Sequence, residues 1–252
     1  MTRPLTHIFA GPSLPPAVRP CDPQLVWHPP AAAGDCLALL AARPARVCLI
    51  DGLFDSCAAP WHKELLLLME SGTLVLGAAS MGALRAAELD RFGMIGIGAI
   101  YRAYRDGRLH GDDEVALIHA TARLDWAPLS VPMVEIRATL VAACRAGAVA
   151  PAVARELRAA AREIHFEDRD WPMLGQYWLS AGMIGPECFE RLRQMHVPLK
   201  QRDALACLAA ARIAGEPRLP PTPTPRTCFI EALASPAAPE RLRQRPAHSP
   251  HR

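Results

Sequence analysis

The stretch best equipped for chemistry is Gly77–Leu89, G-A-A-S-M-G-A-L-R-A-A-E-L. An apolar run ends there, small residues follow, and a helical pattern begins just after Ser80. Small neighbours permit a sharp strand-to-helix turn that lifts a hydroxyl out of a sheet edge. Backbone N–H groups at the helix start can then stabilise an oxyanion. Ala78, Ser80 and Gly82 form A-x-S-x-G, one residue away from the G-x-S-x-G nucleophile elbow. Taken alone, the pattern favours a plain N-cap, a role that Ser fills well.

Other residues can meet Ser80. Ser13 follows Gly11-Pro12 at the end of another apolar run, and Asp51-Gly52 closes a third. If these runs are parallel strands, Ser13, Asp51, Gly52 and Ser80 share one C-terminal edge, where such sheets bind ligands. Taken singly, Ser13 and Asp51 read as ordinary turn residues. The chain has 26 arginines but only two lysines, Lys63 and Lys200. Arginine cannot lose its proton in a protein, so a lysine kept in such a background points to chemistry that arginine cannot supply. Lys63, in His62-Lys63-Glu64, opens a helix between two strands and therefore starts on the Ser80 edge. It becomes a base only if burial or a nearby cation such as Arg85 keeps it neutral. The alternative is a solvated cation, placed oddly against the helix dipole. Arg85 can contact an anionic substrate or pair with Glu88 at i,i+3. Asp112-Asp113-Glu114 reads as an acidic helix start or a docking patch for a basic partner. A metal site is disfavoured, because no further carboxylate or His has matching spacing.

These residues need elements to position them. Strands are expected at Thr6–Ala10, Leu25–His28, Val47–Ile50 and Thr73–Ala78. Helices are expected at Asp35–Arg43, Trp61–Glu70 and Met81–Phe92. Alternation at this spacing means an α/β fold with a mostly parallel sheet and flanking helices. From residue 127 the texture turns helical, at Val131–Ala146, Pro151–His165, Pro186–Met195 and Arg202–Ala214, with Pro151 and Pro186 suited to first helical positions. The expected organisation is an α/β core over 1–126, an all-helical part over 127–215 packed on it, and a Pro-rich tail over 216–252. That tail can bury little surface. The Pro-rich stretch Pro12 to Pro23 puts in question the helix that should cover the sheet after the first strand.

Composition excludes several classes. The 252 residues are 51% hydrophobic and 21% charged, as in ordinary globular proteins. No apolar run approaches the roughly 20 residues of a membrane span, and no secretory signal is seen. A net charge of +3 is too small to argue for nucleic acid. Eight cysteines show neither C-x-x-C nor zinc-ligand spacing, which fits reduced thiols in a cytoplasmic protein. Cys57, near the expected edge, is the one to watch for persulfide chemistry.

Six segments in order carry a resemblance: I-F-A-G-P-S-L (8–14), I-D-G-L-F (50–54), H-K-E-L-L (62–66), the Ser80 block (77–89), G-M-I-G-I-G (93–98) and D-D-E-V-A (112–116). Together they resemble the TfuA-like core domain, over about half the chain. The resemblance implies a partner of YcaO enzymes, which activate peptide backbone amides with ATP, and a role in replacing an amide oxygen with sulfur. It further implies hydrolysis of a ubiquitin-like sulfur carrier with a C-terminal thiocarboxylate, by a Ser-Lys dyad. Residue by residue, Ser80 becomes the nucleophile and Lys63 the base, with Ser13 the competing nucleophile. Ser13, Asp51, Gly52, Gly77, Ala79, Met81, Gly82 and Arg85 become substrate-binding residues. Asp112, Asp113 and Glu114 become a partner-docking patch. No cofactor, metal, nucleic acid or membrane is called for. Two other readings stay open: a non-catalytic module that docks YcaO, peptide and carrier together, and a nucleotide-binding α/β domain. The last lacks G-x-G-x-x-G and a P-loop.

Overall fold

The computed structural model describes residues 5–53, 57–215, 223–228 and 230–231. Phe54 and most of the Pro-rich tail lie outside the described residues.

Five short strands form one parallel sheet: β1 (Thr6–Phe9), β2 (Leu25–His28), β3 (Arg46–Leu49), β4 (Leu74–Gly77) and β5 (Ile95–Gly96). Their order is β2-β1-β3-β4-β5. This is a doubly wound order, with its switch point between β1 and β3, and such sheets bind ligands in the crevice there. Phe9 lies opposite Leu49, and Leu49 opposite Gly77. The segments that follow these three residues therefore leave the sheet at one level. They carry Ser13, Asp51 and Ser80.

Among the described residues the α-helices are, in chain order, α1 (Asp35–Ala38), α2 (His62–Glu70), α3 (Met81–Leu89), α4 (Gly98–Arg105), α5 (Met133–Arg145), α6 (Pro151–Glu163), α7 (Trp171–Ser180), α8 (Pro186–Gln194) and α9 (Leu199–Ile213). The strands are apolar on both sides because both faces are covered. Val47, Leu49 and Val75 pack with Leu65 and Leu68 of α2 and with Ala83 and Ala86 of α3. Their neighbours Cys48, Ile50, Leu74 and Leu76 point the other way, as the two-residue period of a strand requires. They pack on Ala204, Cys207, Leu208 and Ala211, one face of α9. The helical half thus supplies the cover for one face of the sheet. Helices α5 to α8 enclose a separate core around Ile136, Leu157, Leu174 and Trp178.

Three elements were not anticipated. β5 is only two residues long, in a glycine-rich stretch with little strand pattern. α4 begins at Gly98, whose φ is +98°. A Cβ there would lie 2.2 Å from Asp203 Cγ, so glycine lets the carboxylate of α9 come close. Asp203 accepts hydrogen bonds from the backbone N–H of Ala99 at 3.0 Å and Ile100 at 2.8 Å, and so caps α4 from another part of the chain. α7 carries Pro172 in its first turn, where proline costs no hydrogen bond. Between β1 and β2 no α-helix forms, only a 3₁₀ turn at Pro16–Val18. The prolines there remove the N–H donors that a helix needs. Arg19 stands in for the helix. Its guanidinium donates to the carbonyls of Leu14 and Ala10 at 3.0 and 3.1 Å and lies 4.7 Å above the Trp27 ring.

α3 is pressed against β3. A Cβ on Gly82 would sit 1.8 Å from the Leu49 carbonyl oxygen, which is backbone and cannot move aside cheaply. Gly82→Ala is therefore expected to lower stability by about 3 kcal/mol or more. Urea unfolding of variant and wild type checks this, and an unchanged midpoint would contradict the contact.

Candidate functional site

Asp51 leaves β3 and turns its buried carboxylate towards the loop after β1. It accepts from Gly11 N–H at 2.8 Å, Ser13 N–H at 3.0 Å and Ser13 Oγ at 2.5 Å. Three donors on one side chain bind the two loops into a single edge. Ser13 is 2% exposed and serves this junction.

Beside the junction lies a cavity of about 210 Å³. Asp51, Gly52, Ser80, His119, Phe166 and Lys200 are among its lining residues. A larger cavity of about 620 Å³ adjoins it and shares Pro12, Leu117 and Lys200, with Ser13 and Glu135 in its own wall. Lys200 comes from the first turn of α9. It is 2% exposed, and its Nζ donates to the Val115 carbonyl at 2.9 Å. Burial pushes its pKa below the ordinary lysine value, while the charges of Asp51 and Glu135 pull it back up. Lys200 thus lines the same cavity as Ser80, and its desolvation favours the neutral amine.

Ser80 sits on a strained turn. Its N–H donates to the Ala78 carbonyl at 2.9 Å, closing a three-residue turn with Ala79 at φ +66°. A γ-turn of this hand is rare and strained, and such strain persists only where the surroundings enforce it. The helix start does not offer several free donors. Gly82 N–H is taken by the Ile50 carbonyl at 3.2 Å, and the N–H groups of Ala83 and Leu84 by the Ser80 carbonyl. Met81 N–H, just after the serine, has no partner among the described residues. It is the donor left open next to the Ser80 hydroxyl.

The remaining expected residues divide. Gly77, Ala79, Met81 and Gly82 shape the turn and do not line the Ser80 cavity. A Cβ on Gly77 would meet the Gly82 carbonyl at 2.2 Å, and one on Gly52 would meet Met81 Cγ at 2.8 Å. Lys63 is elsewhere: its Nζ donates to Thr227 Oγ1 at 3.1 Å, and it does not line the cavity. Arg85 lies on the outside of α3. It donates to the Pro60 carbonyl at 3.0 Å and pairs with Glu88 at 2.8 Å, while His62 meets the same carboxylate at 2.7 Å. The acidic trio is split. Asp112 is exposed, but Glu114 is 2% exposed and binds Arg137 with both oxygens, so it is an internal ion pair and no part of a docking surface. Among the described residues there is no group of three or more His, Cys, Asp or Glu that could hold a metal. No helix among them is long and apolar enough to cross a membrane.

Lys200, His119 and Phe166 were missed as site residues. For Lys200 the available signal was its rarity in an arginine-rich chain. Nothing local marks the other two, because the fold brings them in from distant loops.

A family model described as TfuA-like protein matches residues 51–170. The match, a little under half of the chain, supports a TfuA-like core domain and takes in Asp51, Ser80, His119 and Phe166 of the cavity lining. No curated protein matches the chain. The family is associated with YcaO-type partners, which supports an accessory role in that system.

If Ala79 is strained, removing its Cβ relieves it. Ala79→Gly is expected to leave stability unchanged or raise it by up to about 1 kcal/mol, since the left-handed conformation costs an L-residue roughly 1–2 kcal/mol. At an unstrained buried site the same change destabilises. A loss above about 1 kcal/mol in a denaturant titration would contradict the strain.

Proposed function

We propose that this protein is an accessory of a YcaO-type enzyme in peptide backbone thioamidation. In this reading it releases sulfide from a thiocarboxylated ubiquitin-like carrier and assists YcaO in binding its peptide. The observation that carries the reading is the convergence of Ser80, Asp51 and Lys200 on one cavity at the carboxyl edge of the sheet. Ser80 acts as nucleophile and Lys200, in place of Lys63, as the base.

The chemistry is acyl transfer. Ser80 Oγ attacks the thiocarboxylate carbon and its proton passes to the Lys200 amine. The developing oxyanion takes the Met81 N–H. The C–S bond breaks and sulfur leaves as hydrosulfide, carrying the proton that Lys200 returns. Water then attacks the acyl-serine ester, again with Lys200 as base. The products are the carrier carboxylate, a proton and the free serine. Hydrosulfide is a good leaving group, so a nucleophile with one base suffices. The narrow cavity suits an extended, small-residue C-terminal tail.

Sulfide release from a thiocarboxylated carrier tests this. Ser80→Ala and Lys200→Met are expected to lower the rate by at least about 10²-fold, the typical worth of general base catalysis. Lys63→Met is expected to stay within a few-fold of wild type. Loss in Ser13→Ala with retention in Ser80→Ala would move the nucleophile to the loop after β1. No release by folded wild type in the presence of its YcaO would sink the hydrolase.

The same assignment fixes a pH dependence. Only the neutral amine accepts the proton, so kcat/KM is expected to rise with pH and level off below about 10.4, where a free lysine titrates. Stability follows the same sign. Between the lowered folded pKa and the unfolded one, the unfolded chain holds more protons, so stability rises with pH through that window. Lys200→Met should remove that part of the slope. A pH–rate profile that falls across this range would contradict Lys200 as base.

A further inference from the structure

Away from the Ser80 cavity, helices α4, α5, α6 and α9 frame an open groove of about 860 Å³. Six arginines line it: Arg108, Arg137, Arg145, Arg155, Arg158 and Arg202. Every other lining residue is apolar, and none is acidic. In a chain whose net charge is only +3, this is a strong local excess of one sign. Arg137 is neutralised by Glu114 and Arg108 reaches Asp106 at 3.3 Å. The other four form no ion pair among the described residues. The floor includes Leu109, Leu140 and Val141, and Val141 is 50% exposed.

We infer that this groove docks an acidic, partly aliphatic segment of a partner protein, laid along α5 and α6. Charge decides against the chain's own tail as occupant: residues 216–252 contain six arginines and three acids. The floor decides against nucleic acid. It has no aromatic side chain on which a base could stack, whereas single-strand binders rely on such platforms. A helix with Leu on one side and Glu on its flanks meets both demands, with aliphatic contacts below and guanidinium–carboxylate pairs at the rim. This inference is independent of the Ser80 chemistry.

The test uses the full chain and a fluorescein-labelled helical peptide built from Leu and Glu at heptad spacing. A counterpart with Lys for Glu serves as control. Polarisation is expected to show binding of the acidic peptide, weakened by salt as exposed charge pairs are. The control should not bind. Arg155→Glu with Arg158→Glu should weaken the acidic peptide by at least about tenfold and restore binding of the Lys peptide. Both arginines are exposed on α6, and an unchanged melting temperature confirms that the variant is folded. Val141→Glu, on the floor, should weaken binding independently. Four results would overturn the inference: no binding by wild type, binding unaffected by the charge reversal, tighter binding of a single-stranded oligonucleotide through the same arginines, or self-association that the reversal abolishes.

Discussion

The structure turns on one buried carboxylate. Asp51 takes three hydrogen bonds from the loop after β1 and faces the amine of Lys200 across the cavity. Those donors hold the first part of the segment Ala10 to Pro23, and Arg19 and the Asp22–Arg212 ion pair hold the rest, in place of the helix that its prolines forbid. Without Asp51, Lys200 would lose the charge that most offsets its burial. A carboxylate this deep is tolerable because its hydrogen-bond donors come from the first loop and the Lys200 amine of α9 lines the same cavity. The sheet edge, the first loop and α9 are thereby held in one arrangement.

The close approach of α3 to β3 is the second constraint. Three glycines, Gly52, Gly77 and Gly82, stand where a methyl group would meet backbone or the Met81 side chain. Removing side chains there lets α3 begin almost on top of the strand. The chain must then turn within three residues, and it does so through Ala79 at φ +66°. The turn uses most of the N–H groups at the helix start for its own closure. What remains is one donor, Met81 N–H, next to one hydroxyl. Preorganisation here comes from tight backbone packing, and the helix dipole contributes through a single N–H.

Much of this was legible in the sequence, for physical reasons that differ by element. Val47–Ile50 and Thr73–Ala78 read as strands because a sheet covered on both faces is apolar throughout. Ser13, Asp51 and Ser80 could be gathered on one edge because parallel strands end on one side. Periodicity did not reveal β5, α4 or α7, where glycine and proline break the pattern and tertiary caps such as Asp203 replace local ones. Glu114 looked like surface charge because its partner Arg137 lies 23 residues away. Lys63 seemed the closer lysine because it begins a helix on the correct edge. α2 instead directs its amine to Thr227. Spacing along the chain cannot bring residue 200 next to residue 80; only the return of α9 across the sheet does that.

That return makes the helical half part of the site. The backbone N–H of Lys200 is held by Glu135 of α5 at 3.1 Å, and the same carboxylate meets His196 at 3.0 Å. The start of α9 is therefore fixed by the bundle, while its apolar face is fixed by the sheet. The Lys200 amine is desolvated only when both contacts are made. In the unfolded chain, or in an α/β core without its second cover, it is an ordinary hydrated cation. Burial by α9 and the charge of Asp51 act in opposite directions on that amine, and their balance exists only in the assembled fold. Covering the sheet and tuning the lysine are thus one event, which ties the stability of the core to the chemistry proposed at its edge.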